Sequence, residues 1–116
     1  MIEKYTFGLM IIDGVKYTRD LIILPTGEVK DDWWRIEGHR LHLDDLNVIL
    51  NLDVLPEVLV IGTGYSGLMK VPKHVVEELR ERGIEVIIEQ TGVAWKTFNK
   101  LLHEGRRVAA AFHLTC

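Results

Sequence analysis

The chain has 116 residues, of which 47% are hydrophobic and 27% are charged, as is usual for one globular domain with a buried core. The net charge of -3 offers no basic stripe for phosphates, so we expect no nucleic-acid partner. A single cysteine excludes an intramolecular disulfide. No secretory signal is visible, and no apolar run approaches the ~20 residues that span a bilayer. We therefore expect one cytoplasmic domain over residues 1–116, without a membrane partner.

Short strands and tight turns fill the first half of the chain. Compact apolar runs predict buried strands, Asp-Gly is the pair preferred in two-residue hairpin turns, and Pro-Thr-Gly is typical of a wider turn. The predicted elements are strands at Leu9–Ile12, Val15–Tyr17, Leu21–Leu24 and Glu28–Lys30, turns at Asp13–Gly14 and Pro25–Gly27, and a short helix through Leu50 that Asp44 or Asp45 caps.

Two adjacent tryptophans precede an arginine in this half. If the backbone is extended, Trp33 and Trp34 point to opposite sides, so one is expected in the core and the other half exposed. Either both cap the sheet, or with Arg35 they form the rim of a binding surface, where such residues are enriched. Arg106 is a second candidate for contact with an acidic partner, the alternative being a solvated strand end.

Strands that are apolar throughout alternate with amphipathic helices in the second half. The predicted elements are a strand opened by Pro56, a helix from Val71–Pro72 to Gly83, a strand at Ile84–Ile88, a helix over Gly92–Glu104 and a strand at Val108–Leu114. Such a β–α–β–α–β order predicts parallel strands in a sheet covered on both faces. Together with the hairpins of the first half, it indicates an α/β domain with a central mixed sheet.

A glycine-rich loop follows the strand that Pro56 opens. Gly62–Gly67 matches G-x-G-x-x-G, and Glu89 follows at about the spacing of the acid that binds ribose in dinucleotide folds. However, the helix begins only at Pro72, too late for its amino terminus to meet a pyrophosphate. The spacing therefore disfavours a dinucleotide.

Two interpretations of this loop remain. It is either a tight turn that needs the backbone freedom of glycine, or a site where loop N–H groups and polar side chains hold a small anion or polar ligand. Thr91 either caps the last helix or lines the same edge of the sheet. The candidate ligand-binding residues are Gly62, Thr63, Gly64, Tyr65, Ser66, Gly67, Lys70 and Thr91.

No catalytic or metal-binding constellation emerges from the remaining polar residues. Ser66 lacks the G-x-S-x-G spacing of a nucleophile elbow. His39 and His42 face opposite sides of a predicted strand and make a poor metal pair. We therefore predict no catalytic residue, no metal and no cofactor.

Several segments together resemble a known family. They are PEVLVIGTG, Pro72, GIEVIIEQT, Thr97–Asn99 and EGRRVAAAF, with a looser match through Trp33–Arg35 and Gly38-His39. The pattern resembles the small domain of uncharacterised archaeal and bacterial proteins related to the adipogenesis-associated Mth-type domain protein and a mitochondrial complex I assembly factor. The resemblance implies a three-layer single domain and no established activity, cofactor or catalytic residues. Its better-understood relative acts in protein assembly.

These observations support one leading hypothesis and two alternatives. The leading hypothesis is a non-enzymatic binding or protein-assembly module with protein partners. The first alternative is a binding protein or enzyme with a site for an anion or nucleotide at the Gly62–Gly67 loop. The second is a homo-oligomer that associates through Trp33, Trp34 or the strands of the first half.

Overall fold

The computed structural model describes residues 1–116 and contains eight strands, two full helices and one short helical segment. The elements are β1 (Ile2–Thr6), β2 (Leu9–Ile12), β3 (Val15–Tyr17), β4 (Leu21–Ile23), β5 (Val29–Asp31), a 3₁₀ turn (Leu43–Leu46) leading into α1 (Asn47–Leu50), β6 (Val58–Thr63), α2 (Lys73–Glu81), β7 (Glu85–Glu89), α3 (Thr91–His103) and β8 (Val108–His113). None of these helices has the length and apolar content needed to cross a bilayer.

A five-stranded mixed sheet forms the centre of the fold. Its strand order is β5-β4-β8-β6-β7. Strand β6 runs parallel to both β7 and β8, because a helix carries the chain back across the sheet before each of those strands. Strand β4 is antiparallel to β8 and to β5. The predicted mixed sheet with a β–α–β–α–β second half is confirmed.

Two apolar layers cover this sheet. On one face, α3 and a separate antiparallel sheet of β1, β2 and β3 pack against side chains such as Val60 and Phe112. On the other face, α1 and α2 contribute Ile49 and Leu79 to a second core around Ile61. Because alternate side chains of a strand point to opposite faces, each apolar strand serves both cores. The predicted three-layer α/β domain with a hairpin-rich first half is therefore confirmed.

Two predicted helix caps are wrong. The 3₁₀ turn is preceded by His42, whose backbone N–H donates to Asp45 Oδ2 at 2.8 Å, so Asp45 lies inside the turn instead of before it. Helix α3 begins at Thr91 and follows Gln90. Thr91 is buried against the sheet, where its hydroxyl serves other partners.

Candidate functional site

A buried polar cluster lies at the carboxyl end of β8. The antiparallel register pairs Leu21 of β4 with Phe112 of β8, so the preceding Asp20 comes beside the following His113. The side chain of His113 is 6% exposed and that of Asp20 is 17% exposed. Two strands from opposite ends of the chain thereby bring an acid and an imidazole together inside the protein.

The Asp20 carboxylate has three partners in this cluster. Its Oδ2 lies 2.7 Å from His113 Nδ1 and 2.8 Å from Arg35 Nη1, and its Oδ1 accepts the Leu114 N–H at 2.7 Å. Burial alone would raise the pKa of Asp20, but the hydrogen bonds from His113 and Leu114, the charge of His113 and the contact with Arg35 lower it below 3.8. Asp20 is therefore held as a carboxylate.

Arg35 is fixed on several sides. Its Nε and Nη2 donate to the Gly38 carbonyl at 3.1 and 2.9 Å, and its Cζ lies 4.8 Å from the centroid of the Trp33 ring, within range of a cation–π contact. The Trp33 indole N–H donates to the Asp45 carbonyl at 2.9 Å. Trp33 is half-buried as a result, whereas Trp34 is 80% exposed.

A cavity adjoins this cluster, and we call it the Trp34 cavity. Its volume is about 400 Å³, large enough for a few side chains or a small ligand. Two indoles line it together with two arginines and two aspartates. Its walls are Arg19, Asp20, Asp32, Trp33, Trp34, Arg35 and Gly38.

The glycine-rich loop after β6 is covered by the carboxyl-terminal segment of the chain. The Tyr65 N–H donates to the Thr115 carbonyl at 2.7 Å, and the Leu68 N–H donates to the Cys116 carbonyl at 3.1 Å. The Gly64 N–H donates to the Thr91 hydroxyl at 2.9 Å. Most N–H groups that an anion would use therefore already have acceptors within the chain.

Close packing explains two of the loop glycines. A Cβ on Gly62 would lie 2.6 Å from Phe112 Cδ1, and a Cβ on Gly64 would lie 2.6 Å from the Cys116 carbonyl oxygen. Gly64 also has a φ of +109°, in the region that favours glycine. The geometry accounts for a tight turn, and the ligand site at Gly62–Gly67 stays a prediction.

Thr63 and Thr91 are the members of the predicted ligand set that bury a polar side chain. Thr63 donates its hydroxyl hydrogen to the Glu89 carbonyl at 3.2 Å, and Thr91 donates to the His113 carbonyl at 2.7 Å. Thr91 thus joins the Gly64 loop to β8. It lies at the same edge of the sheet as the loop, where the second of the two interpretations of Thr91 placed it. Both hydroxyl groups hold backbone together.

Tyr65, Ser66 and Lys70 are the exposed members of that set. The Tyr65 ring packs against Phe7 with centroids 5.7 Å apart and lies 6.5 Å from the ring of Tyr5. The Tyr5 hydroxyl donates to the Leu114 carbonyl at 2.8 Å, and burial, together with the nearby Tyr65 and Asp20, raises the pKa of Tyr5 to about 12. The tyrosine side chain of the loop therefore belongs to an aromatic contact between the two sheets.

The predicted interaction surface splits into two places. Trp33, Trp34 and Arg35 gather at the carboxyl end of β8. Arg106 lies just before β8, with its guanidinium nitrogens 3.8 Å from Glu57 Oε2 and 3.5 Å from Glu85 Oε1. The length of β8 separates Arg106 from the tryptophans, so the four residues do not form one surface.

Asp20 and His113 are the functional candidates that sequence reasoning missed. Each had a weak signal, since Asp20 stands directly before an apolar run and His113 ends the apolar strand VAAAFH. What joins them is the pairing of β4 with β8, which local patterns do not specify. No group of three or more histidine, cysteine, aspartate or glutamate side chains is arranged to hold a metal ion.

These features define a small three-layer α/β domain with a polar cluster and a cavity at one end of a mixed sheet. The family described as "Protein of unknown function (DUF498/DUF598)" matches residues 2–113. The chain belongs to this family, and the resemblance visible in its sequence is confirmed.

Relatives and solved structures agree with this assignment. The human NADH dehydrogenase [ubiquinone] 1 alpha subcomplex assembly factor 3 is 31% identical over 111 residues, which are 95% of this chain and 58% of that protein. The chain thus spans little more than half the length of that assembly factor. A conserved hypothetical protein from Pyrococcus horikoshii has a TM-score of 0.85 at 29% identity, with 100% and 99% of the two chains covered. An outer membrane protein from Bartonella henselae has a TM-score of 0.83 at 30% identity over 99% and 94%.

Proposed function

We propose that the chain is a binding or assembly module that works through protein contacts and not through catalysis. The similarity to an assembly factor supports this role, and since the match covers only 58% of that relative, its own partners are not transferred. Fold alone does not determine function, so the proposal needs a surface that could hold a partner.

One observation carries the proposal, namely the exposure of Trp34 beside a cavity. Trp34 is 80% exposed, and the nearby Ile36 is 67% exposed. The neighbours of Trp34 are held in place, because Trp33 donates to a backbone carbonyl and Arg35 is paired. Tryptophan and arginine are the residues that most often dominate binding energy at protein interfaces. An exposed aromatic side chain beside neighbours that are held in place is suited to a protein partner.

Affinity capture from native extract at two salt concentrations tests the proposal. We expect the wild-type chain to retain a protein that the Trp34→Ala variant does not retain. Val54→Ala is the matched control, since Val54 is also exposed and apolar but does not line the Trp34 cavity. The captured protein should then bind the purified wild-type chain directly. If nothing is retained above the Trp34→Ala background at either salt concentration, the proposal fails.

A second copy of the chain is another occupant that this surface could hold. Light scattering over a range of concentrations separates self-association from binding to a different protein. A mass above that of the monomer, lost in Trp34→Ala, would assign the surface to a homo-oligomer.

The alternative function, ligand binding at Gly62–Gly67, is favoured by the exposure of Tyr65, Ser66 and Lys70. The Ser66 N–H makes no hydrogen bond within the chain. At one hundred times its Kd a ligand adds about 2.7 kcal/mol to the free energy of unfolding, which shifts the midpoint of a domain this size by several degrees. A thermal-shift panel of nucleotides and small anions without such a shift would count against this alternative.

A further inference from the structure

The two edges of the five-stranded sheet differ in how they are protected. Strand β5 is three residues long and includes Lys30, and the next residue after it, Asp32, has a φ of +61°, which ends the strand. Short length, lysine and an irregular backbone are common features of edges that do not pair. Strand β7 has five residues, neither lysine nor proline, and an unbroken register with β6. It is therefore the edge that can accept another strand.

Two residues of β7 direct their backbone polar groups away from the sheet. The Glu85 N–H donates to the Glu57 carbonyl, just before β6, at 2.9 Å. Because successive residues of a strand direct their N–H and C=O groups to opposite sides, the groups of Val86 and Ile88 lie on the outer side. Strand β7 is the last in the strand order. The N–H and C=O groups of Val86 and Ile88 therefore have no partner strand.

An apolar stretch of this edge lies between two glutamates. Ile88 is 42% exposed, and Ile87 is half-buried. Because alternate residues of a strand share a face, Glu85, Ile87 and Glu89 lie together on the face that α3 covers. The edge thus presents apolar side chains in the middle and a carboxylate at each end.

These carboxylates leave the edge with an excess of negative charge. Glu89 accepts a hydrogen bond from the Thr97 hydroxyl at 2.7 Å and makes no ion pair. Glu85 lies 3.5 Å from Arg106, but the same guanidinium is 3.8 Å from Glu57, so one positive charge is shared between two carboxylates. The Glu85 side chain is 58% exposed. Both ends of the edge can therefore receive a basic side chain.

The same charges act against pairing with a second copy of the chain. In an antiparallel pair of two β7 strands centred on Ile87, Glu85 of each copy would lie opposite Glu89 of the other. In a parallel pair in register, each glutamate would lie opposite its own equivalent. Like charges directly opposite each other destabilise a strand pair, whereas opposite charges stabilise it. The glutamates therefore select a segment with basic residues over a second copy.

We propose that the outer edge of β7 binds an extended segment of a partner protein, which adds a sixth strand to the sheet. Backbone hydrogen bonds to Val86 and Ile88 supply affinity, as in other cases of strand addition. The segment carries lysine or arginine opposite Glu85 and Glu89 and a β-branched apolar residue opposite Ile87. This pattern is symmetric, so it fits either strand direction. The proposal goes beyond the Trp34 surface, since β7 and β5 are opposite edges of the sheet.

Titration of the full chain with capped heptapeptides, followed by nuclear magnetic resonance, tests the proposal. The first peptide is SKTVTKS, and the second, SETVTES, has glutamates in place of its lysines. We expect SKTVTKS to shift the backbone N–H signals of Val86 and Ile88, while the signals of β5 and the indole signal of Trp34 stay unchanged. SETVTES should bind about tenfold more weakly, because both cross-strand charge pairs change from attraction to repulsion.

N-methylated peptides distinguish strand addition from a purely electrostatic contact. One version of SKTVTKS carries N-methyl groups on its lysines and valine, and the other carries them on its threonines. Since alternate N–H groups of an added strand face β7 and solvent, one version should lose the shifts and the other should keep them.

Charge variants connect the peptide preference to the two glutamates. The double variant Glu85→Gln with Glu89→Gln should bind the two peptides with affinities within about twofold of each other. Glutamine keeps an oxygen that can accept the Thr97 hydroxyl, so the fold is retained. Glu77→Gln with Glu81→Gln is the matched control, because it removes two exposed charges of α2 and should keep the tenfold preference.

Four outcomes would overturn the proposal. The first is equal binding of both peptides to the wild-type chain, or no binding of either. The second is an equal effect of the two N-methylation patterns. The third is an undiminished preference in the Glu85→Gln and Glu89→Gln double variant. The fourth is movement of the Val86 and Ile88 signals with protein concentration alone, which would assign the edge to a second copy.

The Trp34→Ala variant separates this proposal from the proposed function. It should bind SKTVTKS as the wild-type chain does, because Trp34 is remote from β7. Loss of capture in Trp34→Ala together with absent peptide binding would support the Trp34 surface and remove the β7 site. Peptide binding without any protein captured through Trp34 would do the reverse.

Discussion

Asp20 Oδ2 lies 2.7 Å from His113 Nδ1, although the two residues are 93 positions apart in the chain. The contact joins the start of β4 to the end of β8. The Leu114 N–H donates to the other oxygen of the same carboxylate, so Asp20 also fixes the segment that leaves β8. That segment covers the glycine-rich loop, and the polar cluster therefore helps to hold both candidate sites.

Asp20→Ala should lower the free energy of unfolding by about 3 kcal/mol. The substitution leaves the 5%-exposed Arg35 side chain without its counter-charge, and removal of one partner from a buried pair is costly for this reason. Unfolding in urea, followed by circular dichroism, measures the change. Asp53→Ala is the control, because Asp53 is exposed and should change stability by less than about 0.5 kcal/mol. Equal stability of the two variants would contradict a structural role for the cluster.

The pH dependence of stability should also report Asp20. Its pKa in the folded chain lies below the ordinary value of 3.8, so the unfolded chain binds the proton more readily. The stabilisation is then fully present above pH 3.8 and is lost as the pH falls below that value through the folded pKa. Unfolding midpoints of wild type and Asp20→Asn, measured from about pH 6 downward, should converge in acid. Parallel curves would show that Asp20 contributes no proton linkage.

The sequence was informative where local patterns determine structure. Apolar strands, the Asp13–Gly14 turn and the Gly83 helix end were enough to predict a mixed sheet with crossover helices. The predicted pair Trp33 and Trp34 does divide into a packed and an exposed member. The cluster of Asp20 with His113 could not be predicted from the sequence, because only the non-local register of β4 against β8 brings those side chains together.

Thr91 is a second residue whose role local sequence patterns did not predict. A threonine before an apolar helix is a common N-cap, which made capping the simplest expectation. Its hydroxyl instead bridges the Gly64 N–H, directly after β6, and the His113 carbonyl at the end of the neighbouring parallel strand β8. The propensity of threonine to cap a helix is outweighed by these two hydrogen bonds, because both partners are buried and no water could take the place of the threonine hydroxyl.

Thr91→Val should therefore destabilise the fold by about 2 kcal/mol. The substitution keeps the shape of the side chain but leaves a buried donor and a buried acceptor unsatisfied, and each such group costs about 1–3 kcal/mol. Thr91→Ser keeps the hydroxyl and should lose only about 1 kcal/mol through the missing methyl group. Chemical denaturation of both variants measures the two changes in the free energy of unfolding. If the valine variant is as stable as wild type, the hydroxyl bridge has no energetic role.

Gly64→Ala should destabilise the chain by about 2 kcal/mol, even though the substitution adds a single methyl group. A φ of +109° is strained for alanine, at a cost of about 1–3 kcal/mol. The new Cβ would also lie 2.6 Å from the Cys116 carbonyl oxygen and 2.7 Å from the Thr115 carbonyl oxygen. We expect the carboxyl-terminal segment to move away, so that the Tyr65 and Leu68 N–H groups lose the acceptors that they have in the native fold.

Gly92→Ala is the matched control for this substitution. Gly92 lies in the first turn of α3, and a Cβ there would meet no atom within 4 Å, so alanine should be neutral or stabilise the chain by about 0.5 kcal/mol. Urea unfolding gives the two stabilities, and amide hydrogen exchange at Tyr65 and Leu68 reports the covering segment. Faster exchange at both amides is expected only in Gly64→Ala. Unchanged exchange together with wild-type stability would mean that the segment does not depend on a glycine at position 64, because the backbone there can relax without cost.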